Sequence, residues 1–233
     1  MDVNSATAAD ARPIVLAWSG GKDCLMALER LMANRSWKVA GLLTTFTRRF
    51  ERVAMHGIRR NVLRAQADAL GFPLIESELD WPSSNEDYER ALAAALERAR
   101  EATPTLAHVA FGDLFLGDVR AWREALLARL GWSGVFPLWG EPTAGLARGF
   151  IERGHHALLT CVDTTQLDAA FSGRAFDAAL LDELPANVDC CGENGEFHTL
   201  CHAGPLFGQS LHLVRGDRVL RDKRFAFTDF ALR

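Results

Sequence analysis

Short apolar runs alternate with stretches of helical periodicity through the first 140 residues of the chain. A short apolar run bounded by turn residues predicts a buried strand, whereas apolar positions recurring every three to four residues predict an amphipathic helix. A repeated strand–helix order predicts an α/β fold, with helices on both faces of a parallel sheet and ligands at the carboxyl ends of its strands. The predicted strands cover residues 13–18, 38–46, 72–79, 106–114 and 134–139, and the predicted helices cover residues 23–34, 59–70, 88–100 and 117–130.

The pattern changes near residue 140. One more helix and a strand at residues 156–163 follow, and residues 184–199 are irregular. The tail, residues 209–232, alternates on both sides of a Gly-Asp pair at 216–217, which predicts a hairpin that turns there. We therefore predict an α/β domain over residues 1–140 and a smaller α+β domain over residues 141–233.

Composition indicates a globular protein. Hydrophobic residues make up 48% and charged residues 24% of the 233 residues, close to the average for soluble proteins. No apolar run approaches the roughly 20 residues that span a bilayer, so we expect no membrane partner. Residues 1–12 carry acids and no apolar segment, which is typical of a loose leader and predicts a cytoplasmic protein.

Cysteine count and net charge narrow the function classes. The five cysteines are an odd number, and Cys190 and Cys191 are adjacent, which is poor geometry for a disulfide framework. We expect reduced thiols. The formal net charge of −4 argues against generic nucleic-acid binding, which depends on Lys and Arg contacts to phosphates.

The first predicted strand ends in Ser-Gly-Gly-Lys-Asp-Cys, residues 19–24, directly before a helix. Two glycines here indicate a sharp turn or a close approach to the backbone, and a phosphate chain bound by amides at the helix N-terminus fits both. The loop lacks the Walker A spacing, and no GxGxxG follows any predicted strand. A plain strand-to-helix turn with Ser19 near the N-cap is the alternative.

Several stretches together resemble one family. The loop "SGGKD" is similar to the pyrophosphate loop of the N-type ATP pyrophosphatases, the PP-loop superfamily. The stretches "FGDLFLGDVRAWRE", "LGWSGVFPLWGEPT" and "DCCGENGEFHTLCHAGPLF" resemble the diphthine–ammonia ligase (ATP-binding domain 4) family, in the same order, from about residue 13 to residue 207.

The resemblance implies a HUP-like parallel sheet with a smaller C-terminal domain, and an amide-forming reaction. ATP would adenylate a small-molecule or protein-borne carboxylate, pyrophosphate would leave, and ammonia would attack the acyl-adenylate. ATP and Mg²⁺ are the implied cofactors, and a homo-oligomer is left open. Cys24 stands where the family usually has Ser, which exchanges a hydroxyl for a weaker donor. The implied nucleotide-binding residues are Ser19, Gly20, Gly21, Lys22, Asp23 and Cys24, with Lys22 and Asp23 also catalytic.

Residues 192–199, "GENGEFHT", form a second candidate group. Glu193 and Glu196 could hold an ammonium ion, orient an amine or accept a proton from ammonia, and we expect both on the acceptor side of the cleft. Asn194 and His198 are candidate substrate-binding residues, and a solvated acidic loop is the alternative. His198 and His202 lack zinc-ligand spacing, so no structural metal is expected.

Further candidates follow two other predicted strands. Asp113 ends the run "FGD" on the ligand edge and is a candidate for the nucleotide or its metal, with a helix N-cap as the alternative. In "AMHGIRR", His56 is a candidate for nucleotide binding, and Arg59 and Arg60 are candidates for phosphate or an acidic substrate. A charged, solvated helix start is the alternative for the arginines.

Three function classes result. The leading hypothesis is an ATP-dependent carboxylate–amine ligase that releases AMP and pyrophosphate. A tRNA-modifying PP-loop enzyme is the second, although the acidic chain shows neither an added nucleic-acid-binding domain nor a catalytic cysteine pair. A non-catalytic adenine-nucleotide-binding protein is the third. Turnover of ATP to AMP distinguishes the enzymes from the binding protein, and dependence on tRNA distinguishes the two enzymes.

Overall fold

A computed structural model describes residues 11–233 of the chain, so most of the predicted leader lies outside the described residues. The first sheet contains strands β1 to β6 and carries helices α1 to α4. The strands are β1 (Arg12–Ala17), β2 (Trp37–Thr47), β3 (Arg52–Val53), β4 (Leu74–Leu79), β5 (His108–Ala110) and β6 (Ser133–Val135), and the helices are α1 (Lys22–Ala33), α2 (Arg60–Leu70), α3 (Asn85–Ala102) and α4 (Gly117–Arg129).

The first sheet confirms the predicted α/β class. β1 lies between β2 and β5, β4 pairs with β2, β6 pairs with β5, and all of these pairings are parallel. The two-residue β3 is antiparallel instead, and it pairs with the end of β2.

Successive residues of β1 pack on opposite faces of the sheet, as the period of two in a strand requires. Ile14 and Leu16 belong to the core cluster that contains α1 and α2, whereas Val15 belongs to the cluster that contains α3 and α4. Helices therefore cover both faces, and the continuous apolar run of β1 reflects burial on both sides.

The second sheet is antiparallel and follows helix α5 (Thr143–Glu152). Its strands are β7 (His156–Asp163), β8 (Phe197–Ala203), β9 (Leu213–Arg221) and β10 (Phe225–Leu232), in the order β8-β7-β10-β9. The short helix α6 (Ala178–Glu183) and a 3₁₀ turn at Ala169–Phe171 lie between β7 and β8.

The hairpin predicted in the tail exists, but its predicted turn at residues 216–217 is wrong. Gly216 lies inside β9, and the chain reverses at Asp222 and Lys223, whose φ angles are 51° and 53°. The register pairs Phe225 with Arg221 and places Ala226 and Phe230 of β10 on the buried face of the sheet, so burial of this apolar face favours the turn at residues 222–223.

The two sheets share a core. One cluster of buried side chains contains Leu25 and Leu28 of α1 together with Leu159 of β7 and Leu200 of β8. This packing brings β8 against the N-terminal end of α1, where the residue 19–24 loop lies. Within residues 11–233, no helix combines the length and apolar character needed to cross a membrane.

Candidate active site

A pocket of about 470 Å³ opens at the carboxyl ends of β1, β2 and β5. Its size is within the range of about 300–1,000 Å³ that is usual for small-molecule sites. The second half of the chain contributes to it through the end of the irregular segment and through β8. Eight of the predicted site residues line it: Ser19, Lys22, Asp23, Cys24, His56, Asp113, Glu193 and His198.

The two glycines of the residue 19–24 loop, which we call the phosphate loop, are required by protein groups packed against them. Gly20 has a φ of +84°, and a Cβ there would lie 2.6 Å from Leu63 Cδ1. A Cβ on Gly21 would lie 2.9 Å from His56 Cε1 and 3.2 Å from the carbonyl oxygen of Thr199. The close approach that the glycines predicted is thus made by α2, the β3–α2 turn and β8. Gly21, rather than Ser19, is the N-cap of α1.

Strand β8 is hydrogen-bonded directly to the phosphate loop. The backbone N–H of Lys22 donates to Thr199 Oγ1 at 3.0 Å, and the N–H of Cys201 donates to the Gly20 carbonyl at 2.9 Å. Gln66 of α2 joins the same contact by donating to the carbonyls of Gly20 and Cys201. The site is therefore assembled from segments that are far apart in sequence.

The side chain of Lys22 is buried between the two halves of the chain, with 1% of the residue exposed. Its ammonium donates to both carboxylate oxygens of Asp23, each at 2.9 Å, and to the carbonyl of Cys191. Burial lowers the pKa of Lys22, but Asp23, Cys191 and Glu193 together raise it more, and the net pKa lies above its usual value. Burial also raises the pKa of Asp23, against the opposing effect of Lys22.

Cys24 is a buried thiol that donates to the Gly21 carbonyl at 3.0 Å and lies 3.5 Å from Ser19 Oγ. Burial raises the pKa of Cys24 to about 11. The thiolate is the nucleophilic form of cysteine, and this raised pKa keeps Cys24 protonated at neutral pH. Its position at the start of a helix therefore does not make it a reactive thiol.

Hydrogen bonds within residues 189–196, which we call the acidic segment, hold this segment in its conformation. Asp189 Oδ1 accepts from the N–H groups of Cys191 and Glu193, at 2.9 and 3.2 Å. Glu196 Oε1 accepts from Asp189 N at 2.9 Å and from Asn194 Nδ2 at 3.1 Å. Glu196 is 1% exposed and, with Asn194, does not line the pocket. Glu196 and Asn194 therefore stabilise the conformation of the acidic segment from outside the pocket.

Glu193 is the carboxylate that the acidic segment places in the pocket. It accepts a hydrogen bond from the backbone N–H of Leu114 at 2.7 Å. Burial raises its pKa to about 7, the Leu114 hydrogen bond opposes this, and the carboxylates of Asp23 and Asp113 add to it. Glu193 can therefore exchange a proton near neutral pH.

The "FGD" stretch crosses the first turn of α1. A Cβ on Gly112 would lie 2.9 Å from the backbone of Asp23 and Cys24, so glycine permits this crossing. Asp113 forms an ion pair with Arg123 of α4, with Nε and Oδ2 2.7 Å apart, and it is not the N-cap of α4, which is Leu116.

Arg123 lines the pocket and was not among the predicted site residues. Its guanidinium lies 4.4 Å from the centre of the Phe111 ring. A signal for it existed, because Arg123 lies within the stretch 111–124 that carries the family resemblance. Tyr88 and Thr199 also line the pocket and were not predicted. Thr199 ends the candidate group 192–199 and lies in the family-resembling stretch 189–207, so a signal existed for it too, whereas the neighbourhood of Tyr88 carries none.

Two histidines from different segments stack at the pocket wall. The ring centroids of His56 and His198 are 4.7 Å apart, and His56 Nδ1 lies 3.1 Å from the Thr199 carbonyl, to which it must donate. Burial lowers the pKa of His56 to about 4 and holds the pKa of His198 well below its usual value. Both rings are neutral at pH 7.

Arg59 and Arg60 lie outside the pocket lining and are engaged in ion pairs. Arg59 pairs with Asp229 of β10, and Arg60 pairs with Glu76 and with Glu78, the latter at 2.6 Å. These contacts hold the start of α2 against β10 and β4.

The histidine and cysteine side chains near the acidic segment are dispersed. His198 faces His56, whereas the ring of His202 lies 6.1 Å from that of His156. Cys24, Cys161, Cys190, Cys191 and Cys201 are free thiols. Across residues 11–233, no group of three or more His, Cys, Asp or Glu side chains is arranged to hold a metal ion by itself.

The sheet is parallel, and a glycine loop at the carboxyl end of its first strand leads into a helix N-terminus at the rim of the pocket. This arrangement defines an α/β protein of the HUP-like class. Comparison with family models identifies the family within this class. A model described as the diphthamide synthase N-terminal domain matches residues 11–133, and one described as the diphthamide synthase C-terminal domain matches residues 142–228. The chain belongs to the diphthamide synthase family, whose members are ATP-utilising PP-loop enzymes. No curated protein matches the chain significantly.

Proposed function

We propose that this protein is an ATP-dependent ligase that adenylates a carboxylate, releases pyrophosphate and forms an amide with ammonia. The observation that carries the proposal is the pocket itself, in which a PP-loop, an apolar wall and a titratable carboxylate meet. The family description supports the ATP chemistry.

The lining of the pocket suits a nucleotide bound in two parts. One wall is apolar and aromatic and would accept the base and ribose. The other wall contains the phosphate loop and the N-terminus of α1, whose backbone amides and partial positive charge favour phosphate. The apolar wall is formed by Ala17, Leu43, Tyr88, Leu92, Phe111 and Leu116.

The charges of the pocket explain why Mg²⁺ would be needed. Among the described residues that line the pocket, the cations are Lys22 and Arg123, against the acids Asp23, Asp113 and Glu193, and both lining histidines are neutral. The pocket therefore has no positive surplus to offset a triphosphate. Its carboxylate oxygens are the hard donors that Mg²⁺ prefers, and we propose Asp23 and Asp113 as its protein ligands. Bound Mg²⁺ would neutralise charge on the phosphates.

Glu193 is the group we propose for proton transfer. Ammonia must lose a proton as it attacks the acyl-adenylate, and a carboxylate whose pKa is about 7 is suited to accept it at neutral pH. Glu196 and Asn194 would keep the acidic segment in shape. We further propose that residues 141–233 act as the substrate domain, because they supply Glu193 and His198 to the pocket.

The reaction is tested by product analysis. The protein is incubated with Mg²⁺, ammonium, α-phosphate-labelled ATP and a panel of carboxylates, and the nucleotide products are separated. We expect AMP and pyrophosphate. ADP as the first product would contradict the proposal and favour a kinase or ATPase, and tRNA-dependent turnover would favour the second enzyme class.

Two pairs of variants, each with a matched control, test the assigned residues. Asp23→Asn should weaken Mg·ATP binding measured by calorimetry, whereas Asp118→Asn, an exposed acid at the start of α4, should not. Glu193→Gln should reduce amide formation by about 100-fold or more, the usual scale for an acid–base group, with ATP affinity within a few-fold of wild type. Glu124→Gln on α4 is the control for it, and equal activity of both glutamine variants would eliminate Glu193 as the base.

A further inference from the structure

We infer that Lys22 is a positioning residue that holds the acidic segment against the phosphate loop, and that it does not bind phosphate directly. A lysine ammonium has three N–H donors and no acceptor. In this protein two donors go to the carboxylate of Asp23 and the third goes to the carbonyl of Cys191. Every donor is used, and none remains for a phosphate oxygen.

The surroundings of Lys22 come from the second half of the chain. The ammonium lies 5.6 Å from the centre of the Phe176 ring and 5.4 Å from that of Phe197. Aromatic rings at this distance attract a cation through their negative faces. The backbone of Lys22 contacts the second half of the chain as well, because its N–H donates to Thr199 Oγ1. Lys22 is a bridge between the two halves.

The bridge ends two residues from Glu193. Cys191 lies in the tight part of the acidic segment, where its N–H and that of Glu193 share Asp189 Oδ1. Fixing the Cys191 carbonyl therefore restrains the backbone that carries Glu193 into the pocket. The catalytic consequence rests on the ligase function proposed above, but the contact itself does not.

Hydrogen–deuterium exchange of the acidic segment tests the inference without any turnover. Removal of one charge-assisted hydrogen bond corresponds to about 10- to 100-fold in a local opening equilibrium. In nucleotide-free Lys22→Met we expect residues 189–196 to exchange about 10- to 100-fold faster than in wild type. Lys22→Arg, which keeps the charge, should recover part of the protection. Ser19→Ala, in the same loop but without a contact to the segment, should leave exchange unchanged.

The opposite pattern overturns the inference. If exchange in Lys22→Met equals that of wild type while the affinity for Mg·ATP falls more than tenfold, as phosphate binding would require, Lys22 is a phosphate ligand. If the ligase function is wrong but the inference is right, the exchange result remains and only the turnover is absent.

A second pair of variants applies if Lys22→Met does not fold. Phe176→Leu removes one ring beside the ammonium, whereas Phe150→Leu alters a neighbouring buried ring that does not contact Lys22. Faster exchange of the acidic segment in Phe176→Leu, beyond that of Phe150→Leu, supports the inference, and equal exchange in the two variants overturns it.

A titration separates positioning from general stability. The Lys22 ammonium lowers the pKa of Glu193, so its removal should move the Glu193 titration to higher pH. Carboxyl-labelled NMR of folded Lys22→Met measures this directly. In a turnover assay we expect kcat to fall while the KM for ATP stays within about threefold, which an effect on overall stability would not produce.

Discussion

Gln66 connects the phosphate loop to β8, and its replacement by leucine is expected to destabilise the protein strongly. Its Nε2 donates to the carbonyl oxygens of Gly20 and Cys201, at 2.9 and 2.7 Å, and its Oε1 accepts from Trp18 Nε1 at 2.7 Å. Gln66 is fully buried, so water cannot replace these partners.

The size of the effect follows from these three contacts. Leucine is close to glutamine in size, so Gln66→Leu removes the hydrogen bonds with little change in packing. The two bonds to carbonyls cost about 0.5–1.5 kcal/mol each, and the buried indole N–H left without an acceptor costs about 1–3 kcal/mol. Together they predict a loss of about 2–6 kcal/mol, which lowers Tm by about 4–24 °C in a chain of this length.

Thermal and urea unfolding measure the loss, and a double-mutant cycle attributes it. In a Trp18→Phe background no indole N–H remains to be left unpaired, so Gln66→Leu should cost about 1–3 kcal/mol less there than in wild type. A Gln66→Leu protein within about 0.5 kcal/mol of wild type, or a cycle with no coupling, would refute the reasoning.

Three further predictions are tested by unfolding measurements or by chemical labelling of thiols. Because the pKa of Glu193 is raised from 4.5 to about 7, the folded protein binds the extra proton and loses stability as pH rises through this interval; Glu193→Gln should remove that loss, and parallel pH profiles would contradict it. Gly21→Ala should destabilise the fold, since a Cβ would meet His56 and Thr199, whereas Gly145→Ala in α5 should stabilise it by about 0.5–1 kcal/mol; equal effects would show that the loop has room. With iodoacetamide at pH 8, Cys190 should label before the buried Cys24, and early labelling of Cys24 would contradict its raised pKa.

The glycines of the phosphate loop also change how loop variants are interpreted. A branched side chain at Gly20 would collide with Leu63 and require a positive φ, whether or not phosphate binds nearby. Loss of ATP binding in Gly20→Val would therefore report damage to the fold. Ser19→Ala is the more informative variant, because Ser19 lines the pocket and its hydroxyl has only long contacts, at 3.4 and 3.5 Å.

The sequence alone determined the α/β class and the position of the phosphate loop. Both depend on local signals: a strand buried on both faces is a continuous apolar run, and a helix repeats its apolar positions every three to four residues. The stretch 189–207 also made Glu193 and Glu196 candidates, because two carboxylates, an amide and an imidazole occur there within seven residues.

Only the tertiary structure decided which of these residues meet, and what each one does there. Glu193 and Glu196 are three residues apart and look equivalent in the sequence, yet one lines the pocket and the other is buried behind it. Arg60 is a candidate for phosphate or an acidic substrate in the sequence, but in the structure it is paired with Glu76 and Glu78 of strand β4. The hairpin turn lies at Asp222–Lys223 because the buried face of β10 fixes the register, although Gly-Asp is the stronger local turn signal. Contacts of this kind join residues far apart in the chain, and their energies depend on burial and on partners that no local pattern encodes.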